Sequence, residues 1–146
     1  MQMCSRRASR PGFSLVEVVV VITVMAVLIS FAMPTFGVAI EQANADIAAA
    51  NLRAIWTAER LYWLENRTYT TDLSALESAG LLDSAIVTGS SQYAYAVSAA
   101  DASTFSATAT RIASQRWSGA FAIDQTGTVS GSLQAAGQTA IAPGFE

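Results

Sequence analysis

The sequence predicts an α+β protein in which a long N-terminal α-helical spine packs on a small antiparallel β-sheet head. The first half of the spine is fit for a membrane and the second half is amphipathic. Three observations predict this. Residues 13–33 are predominantly apolar and carry a single charged side chain, Glu17. Residues 41–65 are rich in alanine and leucine and contain neither glycine nor proline. From residue 92 onward, apolar and polar residues alternate between turn signals. The expected organisation is a basic leader, 1–12, a hydrophobic transmembrane helix, 13–37, and the amphipathic half of the spine, 38–66. A head, 67–146, follows, made of a connecting loop, the sheet and a C-terminal tail.

The leader holds Arg6, Arg7 and Arg10, and the chain has no lysine or histidine. Cutting after Gly12 would leave five arginines against eleven acids, a side-chain charge of −6. Those arginines (53, 60, 67, 111 and 116) are scattered rather than clustered, so no nucleic acid is expected on the subunit surface. The only cysteine, Cys4, lies in the leader, so residues 13–146 can form no disulfide. Cys4 as a lipid acceptor is disfavoured, because only Met1, Gln2 and Met3 precede it and no apolar core does.

In a secretory signal the apolar core precedes the cleavage site. Here the order is inverted, and cutting after Gly12 removes the charges while keeping the greasy segment. At 1.5 Å per residue, residues 13–33 are long enough to span a bilayer, and the arginines would stay cytoplasmic, placing the head outside. A carboxylate at the bilayer centre costs roughly 2.5–3.5 kcal/mol, so Glu17 calls for a partner. After cleavage the new amine on Phe13 stands four residues from Glu17 on one helical face. Between neighbouring chains in a low-dielectric bundle, the pair would attract strongly and fix the register.

Taken together, Pro11-Gly12-Phe13-Ser14-Leu15-Val16-Glu17 and the apolar run behind it resemble the type IV pilin-like family, with its Gly-Phe-Ser-Leu-x-Glu processing site. The resemblance implies the type IV pilin fold. It also implies a prepilin peptidase that cuts between Gly12 and Phe13 and acts as N-methyltransferase on Phe13. Glu17 would be the assembly residue of a homopolymer built on an inner-membrane assembly platform. The subunit would sit in the bilayer of the inner membrane first and in an extracellular pilus afterwards. Many members of that family close their C-terminal region with a disulfide, which this chain cannot do.

Pro34 removes a backbone bond and clashes with the carbonyl four residues back, so a kink is expected there, with Gly37 close behind. The other reading of Pro34 is an end to the membrane helix. Beyond it, Leu52, Ile55, Glu59 and Tyr62 fall at helical spacing and give one face for the sheet. Thr71-Asp72 starts a short helix holding Leu73, Leu76 and Ser78, stopped by Gly80. Residues 92–99 and the alternating Phe105, Ala107, Ala109 and Arg111 read as strands, and 119–130 as a hairpin around Asp124-Gln125-Thr126-Gly127. Three to four antiparallel strands result, with 131–146 as a loosely packed tail.

No catalytic residue, metal ligand or cofactor is expected. Residues 13–146 lack the histidine, cysteine and lysine that nucleophilic and most metal chemistry requires, and no phosphate loop or calcium-loop spacing is present. Trp56, Tyr62, Trp63, Tyr69, Tyr93, Tyr95 and Trp117 are expected in core and interface packing. Two functions remain open: a structural subunit of a type IV pilus, or a pseudopilin of a type II secretion system or a minor pilin.

Overall fold

A computed structural model of the protein describes residues 12–144, apart from the side chains of residues 32–35. Helix α1, Leu15–Asn66, is followed by α2, Leu73–Ser78, and α3, Ser84–Thr88. Four strands complete the chain: β1, Tyr93–Ala100; β2, Phe105–Arg111; β3, Ser118–Asp124; and β4, Val129–Gln134. The chain divides into two units, Met1–Val38 and Ala39–Glu146, described here one at a time.

In the first unit the helix is apolar on every side. Among the described side chains of this helix, two hydroxyls are folded back onto its own backbone: Thr23 Oγ1 donates to the Val19 carbonyl at 2.7 Å and Ser30 Oγ to that of Ala26 at 2.8 Å. Such back-bonding hides polar groups from an apolar surrounding. The kink expected at Pro34 lies outside the described residues; Gly37 is helical, with open space where a Cβ would stand.

In the second unit Ala45, Ala48, Ala49, Leu52, Ile55, Ala58 and Glu59 share one face of α1, and all are buried. The alanines let the sheet approach closely, and the larger Leu52 and Ile55 fill the space beyond them. The sheet is a simple antiparallel meander, β1-β2-β3-β4. Its inward residues follow from the two-residue period of a strand: Phe105, Ala107 and Ala109 in β2, Phe121 and Ile123 in β3, Leu133 in β4. The β1–β2 register shifts between Val97 and Ala99. Strands β3 and β4 approach closely at two glycines of positive φ. A Cβ on Gly119 would collide with the Ser132 carbonyl, and one on Gly131 with that of Ala120.

Helix α2 forms where the sequence expects it. Asp72 caps its first turn by accepting from the Ser74 N–H at 2.9 Å, and Gly80 ends it at φ 71°. Helix α3 was not expected. It uses the same device, Asp83 accepting from Ala85 N–H at 2.8 Å, and Gly89 follows it at φ 79°.

The tail needs correction. Residues 131–134 belong to β4, and Leu133 and Ile141 exchange both backbone hydrogen bonds, at 2.8 and 2.9 Å, as an isolated bridge. Both side chains are buried, which gives the segment a core anchor that its Gly-, Ala- and Gln-rich composition conceals. Beyond it, Gln42 Nε2 donates to the Ala142 carbonyl at 2.8 Å, and the Gly144 N–H donates to Asp46 Oδ1 at 2.9 Å. The tail is strapped to α1, not loose.

Candidate assembly site

Gly12, Phe13 and Glu17 lie together at the start of α1. A Cβ on Gly12 would meet nothing within 4 Å, and Phe13 is 81% exposed. Helical bonding begins at Ser14, whose carbonyl accepts from the Val18 N–H at 3.2 Å. Glu17 therefore sits in the first turn, exposed, where the positive end of the helix dipole favours a carboxylate by about 0.3–1 kcal/mol. That local benefit accounts for an acid at this end of a helix. It does not account for the large apolar side chains around it: Leu15, Val16, Val18–Val21 and Ile22 are all about half exposed or more. Nothing within the first unit covers them.

Among the described residues no single helix is long and apolar enough to cross a membrane; Leu15–Phe31 meets the length and composition only jointly with Phe36–Asn66. No three metal-ligating side chains come together among the described residues.

The head is held to α1 by polar contacts that sequence reading missed. Arg111 grips Glu41 with both ends of its fork, Nε to Oε1 at 2.6 Å and Nη2 to Oε2 at 3.1 Å, and both side chains are over nine-tenths buried. Arg111 Nη1 also donates to the carbonyls of Gln92 and Ile112, so four of the five guanidinium N–H donors are engaged. Its guanidinium lies 5.6 Å from the ring centre of Tyr93. Burial, and secondarily the Glu41 charge, pushes the Tyr93 phenol well above its usual range, with Arg111 opposing. Asn51 Nδ2 donates to the Tyr95 hydroxyl at 2.9 Å, and Tyr95 is likewise raised, chiefly by burial.

Glu59 is the most unusual of these groups. It is fully buried; one oxygen accepts from the Thr70 N–H at 3.0 Å, while Oε1 has no partner. Burial pushes its carboxyl up to about 7, with the Thr70 bond pulling the other way. Its place on the apolar face was legible from its spacing with Leu52 and Ile55; that it would be wholly enclosed was not.

Two family profiles match the chain. One, described as the prokaryotic N-terminal methylation motif, covers residues 7–33. The other, described as type IV minor pilin ComP, DNA uptake sequence receptor, covers residues 34–119, more than half of the chain. The chain belongs to the type IV minor pilin family. Its helix packed on a four-stranded antiparallel sheet is the α+β fold expected of a pilin. A similar protein is the type IV wide pilus major component PilA4 of Thermus thermophilus, 33% identical over 70 residues, which are 48% of this chain and 53% of that one. Another is the type II secretion system core protein G of Pseudomonas aeruginosa, 29% identical over 73 residues, 50% of this chain and 51% of that one. The chain spans about half the length of these curated relatives. It is a pilin subunit, and pilins with this N-terminal motif are anchored in a membrane before they join a filament.

Proposed function

We propose that this pilin is cut between Gly12 and Phe13, methylated on the Phe13 amine, and built from the inner membrane into an extracellular type IV pilus. Glu17 of one copy meets the Phe13 amine of the next and sets their register. Residues 32–37, with Pro34 and Gly37, act as the point where the helix yields. The observation that carries the reading is the uncovered apolar surface of the first unit, which carries a single carboxylate beside the cleavage residue. Lipid or copies of the same helix are the surroundings that make such a surface stable. Mass spectrometry of sheared surface filaments should give a terminus at methylated Phe13. An intact Met1 terminus in those filaments would overturn the processing step.

The resemblance to the secretion core protein G favours a second reading, a short periplasmic pseudopilus. The two separate by location: filaments sheared from the cell surface support the pilus, and a subunit found only in the envelope supports the pseudopilus. The DNA-receptor role in the family's description is not part of this reading. Residues 13–146 carry a side-chain charge of −6, and Arg111 is already committed to Glu41. Phosphate contacts dominate DNA affinity, and the two arginines that stand near one another, Arg60 and Arg67, are few cations for that role on so acidic a chain.

A further inference from the structure

Trp56 and Trp63 stand two turns apart on one face of α1, and each donates its indole N–H to a hairpin turn. Trp56 Nε1 reaches the Gln125 carbonyl in the β3–β4 turn at 3.2 Å, and Trp63 Nε1 reaches the Ala102 carbonyl in the β1–β2 turn at 2.9 Å. In a meander these two turns lie at the same end of the sheet. An open cleft of about 480 Å³ remains beside them, lined mainly by Trp56, Arg60, Leu61, Trp63, Leu64 and Tyr69. Since both indole N–H groups are taken, the tryptophans offer the cleft ring surface alone. Leu61 and Leu64 are exposed there.

Two cations frame this surface. The Arg60 guanidinium lies 5.1 Å from the Trp56 ring centre, and that of Arg67 lies 5.2 Å from Trp63. Stacking pre-organises both, so a partner's carboxylate meets guanidinium groups with less freedom left to lose. No carboxylate of this chain pairs with either among the described residues. The chain that follows is the electrostatic opposite: residues 68–110 hold Asp72, Glu77, Asp83 and Asp101 and no arginine or lysine. Asp72 and Asp83 cap α2 and α3, and Asp101 is engaged by Ser103 and Thr104. Glu77 remains, exposed on α2, with no side-chain partner among the described residues.

We propose that the tryptophan–arginine cleft is a docking site for α2 of a second copy of this chain, with Glu77 of that copy against Arg60 and Arg67. The two surfaces are different patches of one molecule, so the contact is head-to-tail and can repeat without closing, as a filament requires. The inference rests on the filament reading and adds to it a contact between heads, outside the apolar helix.

The test uses the full-length chain with Cys4→Ser, which leaves no native thiol. Arg60→Cys and Glu77→Cys are introduced together, and oxidised filaments and membranes are run on a non-reducing gel. A ladder of dimers and higher species supports the contact, provided each single cysteine variant gives no ladder. Because a cysteine pair can miss its geometry, charge reversal gives a second readout. Arg60→Glu with Arg67→Glu should lower filament yield about tenfold or more, since like charges facing each other cost several kcal/mol. Adding Glu77→Arg should restore it. Normal filaments with neither a ladder nor a charge-reversal effect overturn the contact and leave the filament reading standing. A wild-type chain that forms no filaments, with no ladder in membranes, overturns both. Cross-linking of position 60 to a different protein also overturns the proposal.

Discussion

The stretches 15–31 and 45–58 belong to one helix, α1, and both are apolar, yet their side chains meet opposite fates. In the first, valine, isoleucine, leucine and phenylalanine point in every direction and stay about half exposed or more. In the second, alanines and two larger residues line one face and are fully enclosed, while Asp46, Arg53 and Thr57 lie off that face. The difference teaches that hydrophobicity alone does not decide what a helix does. A narrow stripe of small residues asks for a sheet within the same chain; a full jacket of branched residues asks for a surrounding the chain does not contain.

The largest expected effect breaks the first side of this comparison. Glu17→Val removes the lone charge of the exposed stretch, so insertion should be at least as good as wild type and cleavage after Gly12 should persist. Filaments should nevertheless fall to few or none if Glu17 sets the register as proposed. Electron microscopy of shed filaments beside an immunoblot for processed subunit checks this; normal filament numbers would reduce Glu17 to a helix-end carboxylate.

The next effect breaks the second side. Arg111→Ala leaves Glu41 buried without its partner and should destabilise the head by about 3–5 kcal/mol. Thermal unfolding of the fragment 39–146 would show it, and a loss below about 1 kcal/mol would mean that water reaches Glu41.

Glu59 sharpens the comparison, since it is the one acid on the enclosed face whose charge nothing neutralises. Its carboxyl is held neutral to about 7, whereas in the unfolded chain it ionises near 4.5. Its contribution is therefore full below the unfolded value and is lost as pH rises through the folded one. Stability should fall across pH 4.5 to 7 by about 3 kcal/mol from this group. Glu59→Gln keeps an acceptor for the Thr70 N–H and should flatten that slope, leaving the variant more stable than wild type above pH 7. An unchanged slope in denaturant titrations at pH 5 and pH 8 would show that the charge is relieved some other way.

The smallest effect is expected from Val20→Ala. With nothing in its own unit packed on it, this change should alter the unfolding of the head by less than about 0.5 kcal/mol. A larger shift would reveal that the exposed stretch leans on the head.

What the sequence disclosed was local chemistry. The proposal for Gly12, Phe13 and Glu17 rests on order and charge within a few residues, and the structure adds only that the three stand at the start of α1. Helix α2 read directly because Asp72 and Gly80 start and stop it by contacts within two or three positions. Helix α3 has the same start at Asp83, but five residues containing Ile86 and Val87 carry too little period to distinguish helix from strand. The tail could not be read at all: Asp46 and Gly144 are 98 positions apart, and Leu133 meets Ile141 across a segment of turn-forming residues. Arg111 looked like a strand residue at the end of an alternating run, and its partner Glu41 stood 70 positions earlier.

The strap formed by Gln42, Asp46 and the Leu133–Ile141 bridge has a consequence for how the subunit matures. A closure made of hydrogen bonds and two packed side chains waits for no oxidant and no thiol-exchanging helper, and residues 13–146 contain no sulfur that could pair wrongly. The head can therefore complete its fold at the pace of chain motion, with no oxidation step to wait for. Reductant should leave its unfolding temperature where it is, so the subunit's durability is indifferent to the redox state of its surroundings.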